Sequence, residues 1–331
     1  NGFGLSARGL AIDTGLPSGE EFPAFTEFWL ERPAAGAGTM TVYALLDSPG
    51  ATGAYRFVIT PDTTTGIVVS ARLFARSNID QIGLAPLTSM FYYGENTRQP
   101  AGEWRPQVHD SDGLLIQDEK SPDMTEWVWR PLLNPTSLRM NYFQVANLKG
   151  FGLMQRDTRF DDFSDAEAHY EKRPSAWIDN TDDWGSGEVV LVEIPTSSEA
   201  NDNIVAFWKP RQKVEQGAEL TFQYRLRFGE HTAFSGHTGR VLDTWVGAGR
   251  VNGPNQSDDN RNLEGTWRVL VDFAGETLNN AKVPVVSEVS TNSNADILEH
   301  FVEHLPEQGI WCLSMLVKPA PNNGTPLRAR L

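Results

Sequence analysis

Phe222-Gln223-Tyr224-Arg225-Leu226-Arg227-Phe228 alternates an aromatic or aliphatic side chain with a polar one at every step. Successive side chains of an extended chain point to opposite faces, so this run puts Phe222, Tyr224, Leu226 and Phe228 on one face and Gln223, Arg225 and Arg227 on the other. It reads as a half-buried strand. The same period returns in Trp267, Val269, Val271 and Phe273, and in Trp311, Leu313, Met315 and Val317. Shorter β-branched or aromatic runs at residues 42–46, 55–59 and 189–192 are bounded by Gly, Pro, Asp or Ser, as strands are. With 29 Gly and 20 Pro as punctuation, the expected class is all-β, with sheets packed face to face. One short helix is expected from Ser164 to Tyr170. Ser164 and Glu167 have capping-box spacing there, and Arg173-Pro174 prevents continuation.

The segment from Gly229 to Gly239 is rich in Gly, Ser and Thr and follows a clear strand, which marks it as a linker. The expected organisation is a β-sandwich domain over residues 1–229, a linker over 230–240 and a second β domain over 241–331. The size of the second domain suits an immunoglobulin-like sandwich whose last strand is missing, because the chain stops at Leu331.

The 331 residues carry a formal charge of -15 and no block of Lys and Arg, which argues against nucleic acid as a partner. An acidic surface is repelled by anionic lipid, and no apolar run reaches the ~20 residues of a membrane span, so membrane insertion is not expected. A neutral ligand fits better. The chain begins at Asn1, without methionine or signal peptide, which points to processing or to a boundary imposed on a longer chain. Cys312, the single cysteine, lies in an apolar run and reads as a packing residue. His300 and His304 stand four apart and could flank a metal on a helix. Their order is His-Phe-Val-Glu-His, however, and no third ligand accompanies them, so neither metal nor cofactor is expected.

Two acidic turns carry the chemistry. Arg105-Pro-Gln-Val-His109-Asp110-Ser-Asp112-Gly-Leu114 sets two carboxylates beside a histidine, and Glu199-Ala-Asn-Asp202-Asn203 runs into Ile-Val-Ala-Phe-Trp208. Acetal hydrolysis needs one carboxyl to protonate the leaving oxygen and one to take a proton from water. The plain alternative is that Asp and Asn are ordinary turn residues.

Several phrases in order reach beyond composition. They include Gly4-Leu-Ser-Ala-Arg-Gly-Leu-Ala-Ile12, Glu27-Phe-Trp-Leu-Glu-Arg-Pro33, Trp127-Val-Trp-Arg-Pro131, Gly150-Phe-Gly-Leu153, Arg173-Pro-Ser-Ala-Trp177 and Asn201-Asp-Asn-Ile-Val205. In this order they resemble the periplasmic osmoregulated glucan biosynthesis proteins G and D, densely to about residue 230 and loosely beyond. The resemblance implies a large carbohydrate-binding-type β-sandwich, a short linker and an immunoglobulin-like domain. It also implies a periplasmic location and action on the β-1,2-linked backbone of osmoregulated periplasmic glucans, as an anomer-inverting endo-glucanase or a transglycosylase. Relatives carry further sheet before the Gly4 phrase, so an unpaired edge or uncovered apolar face is expected within residues 1–100.

By the same resemblance Asp202 falls on the general acid, Asp110 on the base side and Tyr170 on a tyrosine of the catalytic cleft. Protons there travel through a substrate hydroxyl and bridging water. Ile204, Val205, Phe207 and Trp208 are expected to wall Asp202 and raise its pKa. Asp112 faces the same way as Asp110 in an extended segment and is expected to be able to take its place. Sugars stack on aromatic rings and hydrogen-bond bidentately, so His109, Asp112, Trp127, Trp129, Arg130, Arg173, Trp177 and Trp184 are the expected substrate-binding residues. For each Trp, core packing is the competing role. Two readings follow. One is a β-1,2-glucan hydrolase or transglycosylase, and the other a non-catalytic protein that binds nascent glucan and organises it for modification or export. A glucan-synthesis complex or a homodimer would be a natural setting for either.

Overall fold

The computed structural model describes residues 4–121, 124–234, 239–249, 263–282, 284–291, 294–320 and 327–331. Two compact units divide the chain, residues 1–94 with 99–234, and 95–98 with 235–331. Residues 235–238 of the expected linker lie outside the described residues.

The first unit is a sandwich of two antiparallel sheets. The larger has nine strands among the described residues, in spatial order Met124–Pro131, Gly113–Ser121, Leu148–Met154, Ser175–Asn180, Glu219–Gly229, Thr65–Ala75, Ala51–Thr60, Met40–Asp47 and Ala24–Leu30. In the smaller, Ser6–Ala7 and Leu10–Ile12 both pair with Ile82–Ser89, followed by Ile204–Pro210, Gly187–Glu193 and Arg139–Val145. One core fills the space between them. Leu87, Val189, Leu191, Ile204 and Trp208 of the smaller sheet meet Leu46, Tyr55, Leu73, Phe151, Ile178 and Leu226 of the larger. Each side chain buried there stabilises the fold by roughly 1.5–3 kcal/mol.

The opening strand behaves as its alternation requires, with Phe222, Tyr224 and Leu226 in the core and Phe228 packed at its margin. Gly150-Phe-Gly-Leu153 shows a second use of alternation. Phe151 and Leu153 enter the core, while the glycines on the outer face leave room for Trp177. A Cβ on Gly150 would lie 2.4 Å from the Trp177 ring, and one on Gly152 would lie 2.1 Å from the Ala176 carbonyl oxygen. The outer face therefore carries its own aromatic cluster of Trp127, Trp129, Trp177 and Phe234.

The strand Ala24–Leu30 is the edge of the nine-stranded sheet among the described residues, and it exposes Phe28, Trp29 and Leu30. The expected helix from Ser164 is replaced. A single turn, Phe160–Phe163, ends at Ser164, which takes the left-handed conformation at φ 53°, and a 3-10 turn spans Tyr170–Lys172. The physical reason lies in Asp165. Its carboxylate accepts the backbone N–H groups of Glu167 and Ala168 at 2.9 and 2.8 Å and is also drawn to Arg105, so the chain turns where a helix would have to start.

In the second unit, Arg240–Ala248, Trp267–Ala274, Ile310–Pro319 and Ala295–Leu305 form a four-stranded sheet, and Glu288–Thr291 pairs with Leu327–Arg330. Val271, Leu313, Met315 and Val317 of the first sheet pack with Val289, Leu327 and Ala329 of the second. His300 and His304 sit on a strand, not a helix; His300 meets Ser287 and His304 stacks on Trp311 at 4.3 Å. Cys312 is half-buried, and burial with a hydrogen bond to Asp272 pushes its thiol up to about 12.

Candidate active site

Asp110 lies where three short stretches of chain meet. The strand Val108–His109 pairs with Phe91–Tyr93, and Asp110 N–H donates to the Met90 carbonyl at 2.9 Å. Ser111 Oγ meets Ser89 Oγ at 2.8 Å, tying the link that follows to the smaller sheet. Gly4 lies against the carboxyl itself. A Cβ at that position would fall 2.0 Å from Asp110 Cγ, and Gly4 has φ +64°, so only glycine suits both the contact and the backbone.

The turn bearing Asp202 is held to the same place by its neighbour. Asn203 is buried and acts as a substitute strand partner. Its Oδ1 accepts from Phe91 N–H at 2.8 Å, and its Nδ2 donates to the carbonyls of Phe91 and Ile194 at 3.0 and 3.1 Å. Asp202 stands half-exposed with Arg8 Nη2 3.5 Å from its Oδ2. The wall expected around it is absent. Ile204 and Trp208 point into the main core, and Val205 and Phe207 into a cluster on the other face, because a strand in the middle of a sheet buries both faces.

Asp110 is the enclosed carboxyl of the two. It is 5% exposed, and burial raises its pKa to about 7. The positive charge of Arg173 opposes the rise, while the nearby carboxylates of Asp202 and Glu199 add to it. Arg173 Nε stands 3.1 Å from Asp110 Oδ1, an ion-pair distance without hydrogen-bond alignment. Arg173 Nη2 donates to the Ala168 carbonyl at 3.0 Å. That leaves Asp110 Oδ1 and Arg173 Nη1 buried without a hydrogen-bond partner among the described residues. Tyr170 completes the group. Its ring lies 5.6 Å from the Arg173 guanidinium, and burial raises its hydroxyl pKa, with the charges of Glu199 and Asp110 adding to the effect.

Asp112 does not share these partners. Arg156 Nε donates to Asp112 Oδ2 at 2.6 Å, and the Arg156 guanidinium lies 4.0 Å over the Trp129 ring. Burial pushes Asp112 up to about 6, and Arg156 opposes the rise. Trp129 closes over Gly113, where a Cβ would come within 2.0 Å of its ring.

The other expected ligand-binding residues separate by location. His109 has no exposed surface; it is stacked on Phe91 at 5.4 Å and edge-on to Phe163 at 5.1 Å. Gln155 Nε2 donates to the carbonyls of His109 and Tyr170, which turns its Oε1 toward His109 Nδ1 at 2.8 Å. Burial pushes the imidazole down to about 4. His109 thus reaches the site through the backbone it holds. Trp177 is 1% exposed, covered by Trp127 and Phe234, with its Nε1 donating to Asp179. Arg130 reaches from the larger sheet to buried Glu193 of the smaller at 3.1 Å and is engaged in that pair. Trp184 packs on Trp208, Phe222 and Tyr224 at the margin of the main core.

Asp110, Asp202, Tyr170 and Arg173 therefore come together, and Trp129 with Asp112 forms a separate group. Sequence reading gave no role to Gly4, Arg105, Asn203 or Glu199, and it offered Arg8 only glutamates as partners, where the structure gives it Asp202. The one available signal was position, since all but Arg105 fall inside the quoted family phrases or the second acidic turn, and Arg105 opens the first. Among the described residues no three metal-ligating side chains cluster, and no helix is long and apolar enough to cross a membrane.

The fold and site define an all-β sandwich protein in which carboxylates gather around an arginine and a tyrosine. The sequence matches the family described as periplasmic glucan biosynthesis protein, MdoG, over residues 1–331, and the chain belongs to that family. A glucans biosynthesis protein G of Pseudomonas aeruginosa is 46% identical over 334 residues, covering 99% of this chain and 62% of that protein. One of Serratia proteamaculans is 46% identical over 320 residues, covering 96% and 60%. The chain thus spans about three fifths of the length of the curated relatives it matches. Among solved structures, the galactosidase domain of alpha-galactosidase-sucrose kinase overlaps 67% of this chain with a TM-score of 0.36 and 10% identity, too little to support any argument.

Proposed function

We propose that this chain provides the catalytic centre of a periplasmic protein that cleaves or transfers the β-1,2-linked glucose backbone of osmoregulated glucans, with inversion at the anomeric carbon. The observation that carries the reading is Asp110, a buried carboxyl raised to about 7 beside a half-exposed second carboxylate, Asp202. A group that titrates near neutrality exchanges protons at the pH where it works. Asp110 Oδ1 and Arg173 Nη1, an acceptor and a donor buried without partners, suit the hydroxyls of a sugar ring.

In this reading Asp202 donates its proton to the glycosidic oxygen as the C1–O bond breaks. A glucan seated over this carboxyl would bring the glycosidic oxygen to it and cover it from solvent. Water attacks C1 from the opposite face, and the proton it loses passes to Asp110, directly or through a sugar hydroxyl. With a sugar hydroxyl in place of water the same step is a transfer. Arg173 and Tyr170 hold the ring between the two carboxyls.

The test is incubation of the full-length protein with linear β-1,2-glucan, following products by chromatography and the first-formed anomer by proton NMR. Short oligosaccharides or transferred chains with α configuration at the new end support the proposal. Tight binding with no change in chain length would leave the glucan-binding role in its place.

A further inference from the structure

Arg105 lies at the meeting point of three segments that the proposed reaction uses. Its guanidinium is 13% exposed and faces three carboxylates. Nε and Nη2 grip Glu103 at 2.9 and 2.8 Å, and Nη1 reaches Asp165 Oδ2 at 2.8 Å and Glu199 Oε2 at 2.7 Å. Its backbone carbonyl accepts from Tyr93 Oη at 3.0 Å and Gln99 Nε2 at 2.7 Å, so the residue is fixed at both ends. Each carboxylate belongs to a different part of the site. Glu103 lies on the same segment as Arg105, ahead of Asp110 in the chain. Asp165 organises the turn that leads to Tyr170 and Arg173, and Glu199 opens the turn that carries Asp202.

We infer that Arg105 is a positioning residue, tying the Tyr170–Arg173 turn and the Asp202 turn to the segment that carries Asp110 and neutralising Glu199 so that the three can stand together. The inference rests on the proposed function only for its effect on turnover. Planar guanidinium geometry is required, because one ammonium cannot present parallel donors to Glu103 while also meeting Asp165 and Glu199. The charged and titratable groups around Asp110 are Arg173, Asp202, Glu199 and Tyr170, with Arg8 on Asp202. Of these, Glu199 is the one Arg105 touches.

The experiment uses the full-length protein and has two independent readouts. Carboxyl carbon NMR without substrate follows the titration of Asp110, and steady-state kinetics on linear β-1,2-glucan gives kcat and KM. Arg105→Gln leaves Glu199 uncompensated, so Asp110 should titrate higher, by about one pH unit. Its kcat should fall about 30-fold with KM within about threefold, as expected when the reacting groups lose alignment rather than the ligand its contacts. Adding Glu199→Gln to Arg105→Gln should return the Asp110 titration toward the wild-type value. Arg105→Lys should keep the Asp110 titration near wild type yet lose most of the same turnover. If Arg105→Gln does not fold, Arg105→Lys and Glu199→Gln alone carry the test, the latter lowering the Asp110 titration. An unshifted Asp110 in both folded Gln variants, or full turnover in Arg105→Lys, would overturn the inference. A shifted titration in a protein that never cleaves glucan would uphold the charge coupling and reject the reaction instead.

Discussion

Asp110 and Asp112 stand two residues apart in one short link, both are buried and each faces an arginine, yet their surroundings differ. Arg156 meets Asp112 in a close, aligned hydrogen bond and is itself covered by Trp129. Arg173 stands beside Asp110 without such alignment, and two more carboxylates from the 199–203 turn press on the same group. Burial is the main cause that raises both groups, Asp110 to about 7 and Asp112 to about 6. The lesson is that burial and a like charge push upward in both places, while the alignment of the facing arginine separates the two carboxyls. Glycines keep the two places apart, since Gly4 admits the Asp110 carboxyl and Gly113 admits the Trp129 ring.

The comparison can be broken from either side. Gly4→Ala places a methyl on the Asp110 carboxyl and strains a left-handed backbone, so it should lower turnover on β-1,2-glucan by about 100-fold, roughly 2.7 kcal/mol. Gly113→Ala should leave kcat within about threefold and show its damage as raised KM and lower thermal stability, because its methyl meets Trp129. Equal kcat losses in the two variants would erase the distinction.

Asp110→Asn sharpens the comparison through stability. The folded-state pKa lies above the ordinary carboxyl value of 3.8, so between 3.8 and about 7 the folded protein holds a proton that the unfolded chain has released. Stability tied to this group is complete below that window and is lost as pH rises through it. The amide removes the cost, offset in part by the counter-ion lost to Arg173. Asp110→Asn should therefore gain on the order of 1–2 kcal/mol at pH 8 and nothing at pH 4, read from unfolding curves at both pH values.

On the aromatic side, Trp129→Ala should raise KM about tenfold, roughly 1.4 kcal/mol, while kcat stays within about twofold. Asp112→Asn has the smallest expected effect, less than about threefold on kcat, since its Oδ2 is held by Arg156 and it lies apart from Asp202 and Tyr170. Activity retained in Asp110→Asn and abolished only on adding Asp112→Asn would show that the two carboxylates are interchangeable after all.

Much of this was legible in the chain, and the limits have physical causes. Alternation at 222–228 located a strand and its core face because a half-buried strand states both in one period. Alternation cannot say whether an aromatic on the outer face meets solvent, ligand or another ring, so Trp177 and Trp129 looked alike before Phe234 and Arg156 were seen to cover them differently. Ser164 misled because capping-box spacing is local, whereas Asp165 is held by Arg105 sixty positions away. Asp110 and Asp202 were identifiable from their phrases. The charges that distinguish them come from Glu199, Arg173 and Arg8, and no spacing rule brings those together.

The account stands on Asp110 and Asp202 serving one bond, and a double-mutant cycle on turnover of linear β-1,2-glucan by the full-length protein tests it most directly. Asp202→Asn should lower kcat by about 1,000-fold, and Asp110→Asn by a similar factor. The double variant should be no worse than about tenfold below either, because groups acting in one step fail together. A wild-type rate in either single variant, or losses that multiply in the double, would contradict it.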